Sequence, residues 1–198
     1  MMGARSILHC VSALIFTLAG WAGSVYAGTV HIYGGDFNLP IPQQPDTSKG
    51  WMADAIINIP DHYVISDLDI EVNITHSNVF DLQMFLISPK GTIACLNMYN
   101  VNDFFIGPNY TQTIFDDEAL VPIEQGEAPF TGRFRPKESL NIFDGEDTFG
   151  PWQLHICDAF DYDTGTLDSF ELIISVPEPA TILFLALGAV FIKRLRFH

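Results

Sequence analysis

The chain has 198 residues and a formal net charge of −15, from 24 acidic and nine basic residues. A surface this acidic repels phosphate backbones and anionic membranes, so the composition excludes nucleic-acid binding. The length allows one domain of ordinary size with a substantial core.

The first 27 residues have the layout of a secretory signal peptide. Arg5 supplies a basic region, residues 7–19 are mostly apolar, and Val25-Tyr26-Ala27 fits a small-x-small cleavage site. A stable N-terminal transmembrane helix is the alternative interpretation. Cleavage after Ala27 leaves a body, residues 28–176, with five basic and 23 acidic residues and a net charge of −18.

The body is dominated by strand patterns, and no long stretch has a helical period. Residues 28–50, which contain three prolines, are predicted to be a lead-in with little regular structure. The clearest half-buried strand follows at residues 67–74, where apolar and polar residues alternate. Residues 82–88 are apolar on both faces, which predicts a central strand buried between layers. Further strands are predicted at residues 55–59, 92–97, 152–157 and 166–175.

Short strands separated by turn signals are typical of an all-β protein built as an antiparallel sandwich or barrel. In this arrangement Trp152 and Leu154 are expected to point inward as core residues. The polar residues between the strands then form loops at the ends of the sheets.

Two cysteines, Cys95 and Cys157, remain once the signal peptide and its Cys10 are removed. In an oxidising exported setting such a pair is a disulfide candidate. Each lies on the face of its predicted strand opposite the core residues, which is compatible with a bridge. Two independent half-buried thiols are the alternative.

Acidic residues cluster in two loops, and one more begins a strand. Calcium accepts about six to eight oxygen ligands in irregular geometry, so loops of this composition suit it. A calcium site forms if four of these residues converge at one end of the sandwich. The four candidate ligands are Asp81, Asp116, Asp117 and Asp158. A solvated acidic surface is the alternative, and no other cofactor is indicated.

Catalysis is not predicted. A serine hydrolase needs a nucleophile, a base and an orienting acid in contact, and no serine of the body lies in a Gly-x-Ser-x-Gly elbow. Paired carboxylates also serve in glycoside hydrolysis, but the sequence shows no aromatic groove beside them. We expect His76 to cap a strand end by hydrogen bonding.

The tail combines three features in fixed order. Pro177-Glu178-Pro179 is followed by an apolar run of 12 residues, Thr181 to Ile192, and by the basic residues Lys193, Arg194 and Arg196. A relaxed bilayer-spanning helix needs roughly 20 residues, so a transient membrane insertion is predicted rather than a permanent anchor. The basic end should stay on the cytoplasmic side. A plain C-terminal anchor and a buried apolar helix are the alternatives.

This tail resembles the PEP-CTERM sorting signal of Gram-negative bacteria. The resemblance covers residues 176–198. It implies recognition by an exosortase-type membrane enzyme and cleavage near the Pro-Glu-Pro motif. Delivery to the cell surface or to an exopolysaccharide matrix would follow.

The body resembles the P domain, or Homo B domain, that normally follows the catalytic domain of subtilisin-like proprotein convertases. The first matching residues are Ile74-Thr75-His76, Asp81-Leu82, Leu86-Ile87-Ser88-Pro89 and Gly91-Thr92. Later motifs follow in order at residues 115–119, 128–132, 135–136, 150–154 and 165–167. The resemblance implies a jelly-roll-like antiparallel β-sandwich at residues 51–175.

Two functions are compatible with the residues and with both resemblances. The first is an exported, non-catalytic interaction module that binds exopolysaccharide or a surface protein. The second is an accessory domain that stabilises or regulates a separate subtilisin-like serine endopeptidase.

Overall fold

A computed structural model describes residues 28–43, 50–99 and 106–177, which form two packed β-sheets. The strands are β1 (Gly28–Ile41), β2 (Gly50–Trp51), β3 (Ala55–Ile59), β4 (Asp67–His76), β5 (Leu82–Ile87), β6 (Ile93–Asn97), β7 (Tyr110–Phe115), β8 (Phe130–Phe134), β9 (Gly150–Asp158) and β10 (Gly165–Pro177). Three short 3-10 helices cover Val79–Asp81, Ile123–Gln125 and Leu140–Phe143.

The first sheet has the strand order β1-β10-β4-β7-β8, and the second has the order β2-β9-β5-β6 with β3 also paired to β9. Every strand pair is antiparallel except β7 with β8, which is parallel. This arrangement confirms the predicted all-β sandwich.

The core lies between the inner faces of the two sheets. The alternating apolar residues of β4 are at most 2% exposed, as their period of two requires. β5 lies between β9 and β6, which confirms that it is a central strand. Trp152 and Leu154 are fully buried, as expected of core residues.

The expected irregular lead-in is wrong for residues 28–41, because these residues form β1, a strand of 14 residues. β1 pairs with β10 over nearly its whole length, and a bulge lies between Asp36 and Leu39, where Asn38 has a φ of 50°. Gly34 permits the close approach of the two strands, since a Cβ there would lie 2.3 Å from the carbonyl oxygen of Phe170.

β1 and β10 bring the two ends of the described body together. Gly28 at the start of β1 lies opposite Pro177 at the end of β10. The predicted signal peptide and the tail from residue 178 onward lie outside the described residues. Within residues 28–43, 50–99 and 106–177, no helix is long and apolar enough to cross a membrane.

Candidate functional site

A buried histidine–aspartate pair links the two sheets at one end of the sandwich. His76 ends β4 in the first sheet, and Asp158 ends β9 in the second. His76 Nε2 lies 3.2 Å from Asp158 Oδ2, and both side chains are fully buried. The backbone N–H of Asn78 donates to His76 Nδ1 at 3.1 Å. Because that N–H can only donate, the imidazole proton is on Nε2 and is donated to Asp158.

This pair cannot act as a catalytic base in the observed geometry. Both ring nitrogens of His76 are occupied, one by Asn78 and the other by Asp158. The neighbouring Ser77 hydroxyl donates to Asp163 at 2.6 Å and not to the imidazole. A triad requires the nucleophile to hydrogen-bond the base, and Ser77 does not do so. His76 instead accepts the N–H of Asn78 just beyond the end of β4, which is the hydrogen bonding predicted for a residue that caps a strand end.

Asp81 lies beside the His76–Asp158 pair and accepts a hydrogen bond from Asn78 Nδ2 at 2.9 Å. Burial raises the pKa of Asp81 to about 6, and the negative charges of Asp158 and Asp163 act in the same direction. The hydrogen bond from Asn78 opposes this shift without cancelling it. At pH values above this pKa Asp81 is charged, and the burial of this charge destabilises the folded protein.

Replacing Asp81 by asparagine should stabilise the protein at neutral pH. A raised carboxyl pKa contributes stability below the unfolded value, and this contribution is lost as the pH rises through about 6. The asparagine side chain does not titrate, so Asp81→Asn should gain about 1 kcal/mol above that range, a modest figure because Asp81 is partly solvated. Denaturation of both proteins between about pH 4 and 8 measures the difference, which should vanish toward the acidic end. A stability difference between the two proteins that stays constant across this pH range would contradict the raised pKa of Asp81.

A second polar cluster surrounds Arg133 on the outer face of the first sheet. Arg133 Nη1 donates to Asp116 at 2.6 Å and to Asp69 at 2.7 Å. Burial raises the pKa of Asp116, but the hydrogen bonds from Arg133 and the backbone of Glu118 outweigh it and hold the pKa below its usual value. Burial keeps the pKa of Asp69 above its usual value despite the same guanidinium. The pKa of Arg133 is raised by these two partners, so it stays charged.

Three carboxylates of this second cluster lie close enough to share a cation. Oxygens of Asp67, Asp69 and Glu118 all lie within 4.8 Å of one another. Burial raises the pKa of Glu118, and so does its hydrogen bond with Asp116. Hard carboxylate oxygens are the ligands that calcium prefers, although Asp69 is already bound to Arg133. In the sequence, Asp67 and Asp69 alternate with an apolar residue at the start of β4, and this pattern is the signal from which part of the group could have been found.

Asp117 has a structural role. Its carboxylate accepts hydrogen bonds from the Ser139 hydroxyl at 2.6 Å, from the N–H of Leu140 at 3.1 Å and from the N–H of Asn141 at 3.0 Å. These donors lie at the start of the 3-10 helix Leu140–Phe143, whose first amides have no partner within the helix. Asp117 therefore caps this helix.

The structure does not bring the four predicted calcium ligands together. Asp81 and Asp158 lie near His76 at the end of β4, whereas Asp116 contacts Arg133 and Asp69 near its beginning. Asp69 and His76 are seven residues apart along one strand, or roughly 20 Å at the usual rise. One ion cannot bridge that distance, so a single site built from all four is not assembled.

The two cysteines are also not brought together, and no disulfide joins them. Cys95 on β6 pairs with Phe85 of β5, and Cys157 on β9 pairs with Gln83 of the same strand. β5 therefore separates them, which places their Cα atoms about 10 Å apart, beyond the reach of roughly 7 Å that a bridge allows. Burial raises the pKa of Cys95 to about 11, so its thiol is protonated at neutral pH.

A cleft of ≈ 830 Å³ opens between the end of β6 and the segment that precedes β8. Its floor is aromatic, with the rings of Tyr110 and Phe130 stacked at 5.0 Å. Asn97 donates to the Tyr110 hydroxyl at 3.1 Å, and an ion pair of Lys137 with Glu124 lies at the rim. An apolar floor with a few polar groups is the usual composition of a ligand site. Sequence reasoning missed this cleft, because its walls come from distant segments.

The fold is a two-sheet β-sandwich module whose sheets are joined at one end by the buried His76–Asp158 pair. The family model of the proprotein convertase P-domain matches residues 65–174. The chain belongs to the proprotein convertase P-domain family. The model of the PEP-CTERM protein-sorting motif matches residues 175–196, directly after it.

The solved structures that resemble this one include two of a bacterial protease. The serine protease of Aeromonas sobria in complex with the chaperone ORF2 is 17% identical, with a TM-score of 0.48 over 76% of this chain. The same serine protease without the chaperone is 17% identical, with a TM-score of 0.44 over 75% of this chain. The chain spans 27% of the length of each of these proteins. No curated protein matches the sequence.

Proposed function

We propose that this protein is an exported, non-catalytic interaction module. Its P-domain sandwich is cut from the tail by an exosortase-type enzyme and delivered to the cell surface or the extracellular matrix. The adjacency of the two family matches carries the proposal, because the P-domain match ends at residue 174 and the sorting-motif match begins at residue 175. Removal of the tail beyond the Pro-Glu-Pro motif would therefore leave the matched P-domain intact.

Two further observations support binding rather than bond cleavage. Both ring nitrogens of His76 are occupied, and the hydroxyl of Ser77 is held by Asp163, so this polar cluster offers neither base nor nucleophile. The aromatic cleft has the volume of a ligand site. A net charge of −18 on the body favours neutral or basic partners.

Processing of the tail gives the first test. In an exporting host the wild type should lose the residues beyond the Pro-Glu-Pro motif, whereas Glu178→Ala combined with Pro179→Ala should keep them and remain with the membrane fraction. Both substitutions lie outside the described residues, and every residue of β10 is left unchanged. Intact mass spectrometry of each fraction measures the outcome. Glu171→Ala, an acidic change within β10, is the control and should be processed normally; equal processing of all three proteins contradicts the proposal.

The alternative is an accessory domain for a separate subtilisin-like serine protease. Membership of the P-domain family favours this function, because the family is named for the convertases it accompanies. Purification of the exported protein from its native cells distinguishes the two. A bound serine protease supports the accessory function, whereas retention of the protein alone on native exopolysaccharide supports the matrix module.

A further inference from the structure

The first half of β1 is an unprotected sheet edge. β1 lies at the border of the first sheet, and among the described residues its backbone pairs only with β10. Residues 28–35 contain no proline, no bulge and no acidic, lysine or arginine residue. Val30 is 55% exposed and Ile32 is 61% exposed. Such an edge is a template for pairing with another strand, which natural proteins usually prevent.

The second half of the same strand has the usual protection. Asp36 places a charge there, the bulge between Asp36 and Leu39 interrupts the register, and Pro40 lacks a backbone N–H. The contrast within one strand confines the bare edge to residues 28–35.

The other sheet edges described by the structure are protected. β8 has five residues, follows Pro129, and is continued by hydrogen bonds between Arg135 and residues 121–123. The edge of β6 is covered by Lys137 and Glu138, whose N–H groups donate to β6 carbonyls. β3 has five residues and lies between Asp54 and Pro60. Within the described part of the chain, β1 is therefore the edge on which a second strand can be added.

The bare edge is held in place and has space beside it. His31 stacks on Tyr63 with ring centroids 4.2 Å apart, and the Tyr33 hydroxyl donates to Asp61 at 2.9 Å. A groove of ≈ 450 Å³ lies between β1 and β3. An edge that is already ordered loses little conformational entropy on pairing, which favours association.

We propose that a second copy of this chain pairs with β1, strand against antiparallel strand, to form a two-fold dimer. A two-fold axis at His31 places Val30 of each copy opposite Ile32 of the other, so the two exposed β-branched residues cover each other twice. Cross-strand pairs of this type stabilise antiparallel sheets. The first sheets of the two copies then join into one continuous sheet, and both copies use the same residues in this isologous contact.

Charge also favours a contact at this segment. Each body carries −18, so most surfaces of two copies repel one another. Residues 28–34 carry no acidic group, and Asp36 lies beyond the end of the overlap that the axis at His31 defines. Salt screens the remaining repulsion, so the dimer should strengthen as ionic strength rises. A contact with a basic partner would instead weaken as the ionic strength rises.

Sedimentation velocity of the exported protein tests the proposal, with the wild type expected to be a dimer at high concentration. Ile32→Lys should lose the dimer, because each copy then places a charge on the shared edge. The control is Ile93→Lys, which changes an isoleucine that is 54% exposed on the edge strand of the other sheet and should leave the dimer intact. Circular dichroism checks that both variants fold.

Hydrogen–deuterium exchange of the wild type provides a readout that needs no variant. Amides within residues 28–35 should exchange more slowly as the protein concentration rises, whereas those of β6 should not change. A wild type that stays monomeric at every concentration overturns the proposal. A dimer that survives Ile32→Lys, or that shows no slowed exchange in β1, overturns it as well.

Discussion

Trp152→Ala should lower the free energy of unfolding by about 4 kcal/mol, within the range measured for removal of large buried aromatic residues. Trp152 is fully buried on the inner face of β9. Its ring meets Phe143 edge-on at 5.4 Å, and its Nε1–H donates to the carbonyl of Thr148 at 2.9 Å. Alanine leaves a cavity between the sheets and a buried carbonyl without its donor. Urea denaturation monitored by circular dichroism measures the loss.

Trp51→Ala is the matched control, because it removes the same side chain from the surface. Trp51 is 49% exposed on β2, at the border of the second sheet, and its ring centroid lies 6.5 Å from that of Phe85 and 6.4 Å from that of His155. Its loss should cost about 1 kcal/mol or less. Equal effects at the two tryptophans would contradict the assignment of Trp152 to the centre of the core.

Asp158→Ala should cost about 3 kcal/mol, because it leaves one buried donor and one partly buried donor without an acceptor. The imidazole Nε2–H of His76 and the backbone N–H of Phe160 both donate to this carboxylate. The link that it forms with His76 also joins the two sheets. Thermal and urea denaturation of the exported protein measure the loss.

Asp161→Ala, three residues further along the same loop, is the control. Asp161 is exposed, and its removal should change the stability by less than about 0.5 kcal/mol. A large loss at Asp161 together with a small loss at Asp158 would show that the loop, and not the buried pair, stabilises this end. If Asp158→Ala instead abolished a hydrolytic activity of the wild type without unfolding it, the non-catalytic assignment would be wrong.

The strands that were predicted correctly are those whose pattern is local. β4 alternates strictly between polar and apolar residues because one face meets the core, and this alternation is visible in any ten-residue window. β5 lacks alternation because residues on both of its faces are buried or half-buried, and the apolar residues on either side of Gln83 showed this as well.

β1 was missed for the opposite reason. Its glycines and its proline are typical of a loop, and what orders it is hydrogen bonding to β10, which lies about 130 residues away in the chain. No local pattern encodes a partner at that distance. The exposed edge that supports the proposed dimer was invisible for the same reason.

The candidate site shows the same division. The acidic residues and the two cysteines are plain in the sequence, but their meeting depends on which strands are neighbours. Asp81 and Asp158 meet because the connection between β4 and β5 lies beside the end of β9. Asp116, by contrast, lies near the beginning of β4. One intervening strand is enough to keep Cys95 from Cys157.

The sorting motif and family membership were therefore readable from residue order, because the Pro-Glu-Pro tail and strand alternation are linear patterns. The folded chain decided which carboxylates share a cluster, which histidine nitrogen carries the proton and which strand is left with a bare edge. These features follow from strand order and long-range register, which are set only when the two sheets pack and bury a common core.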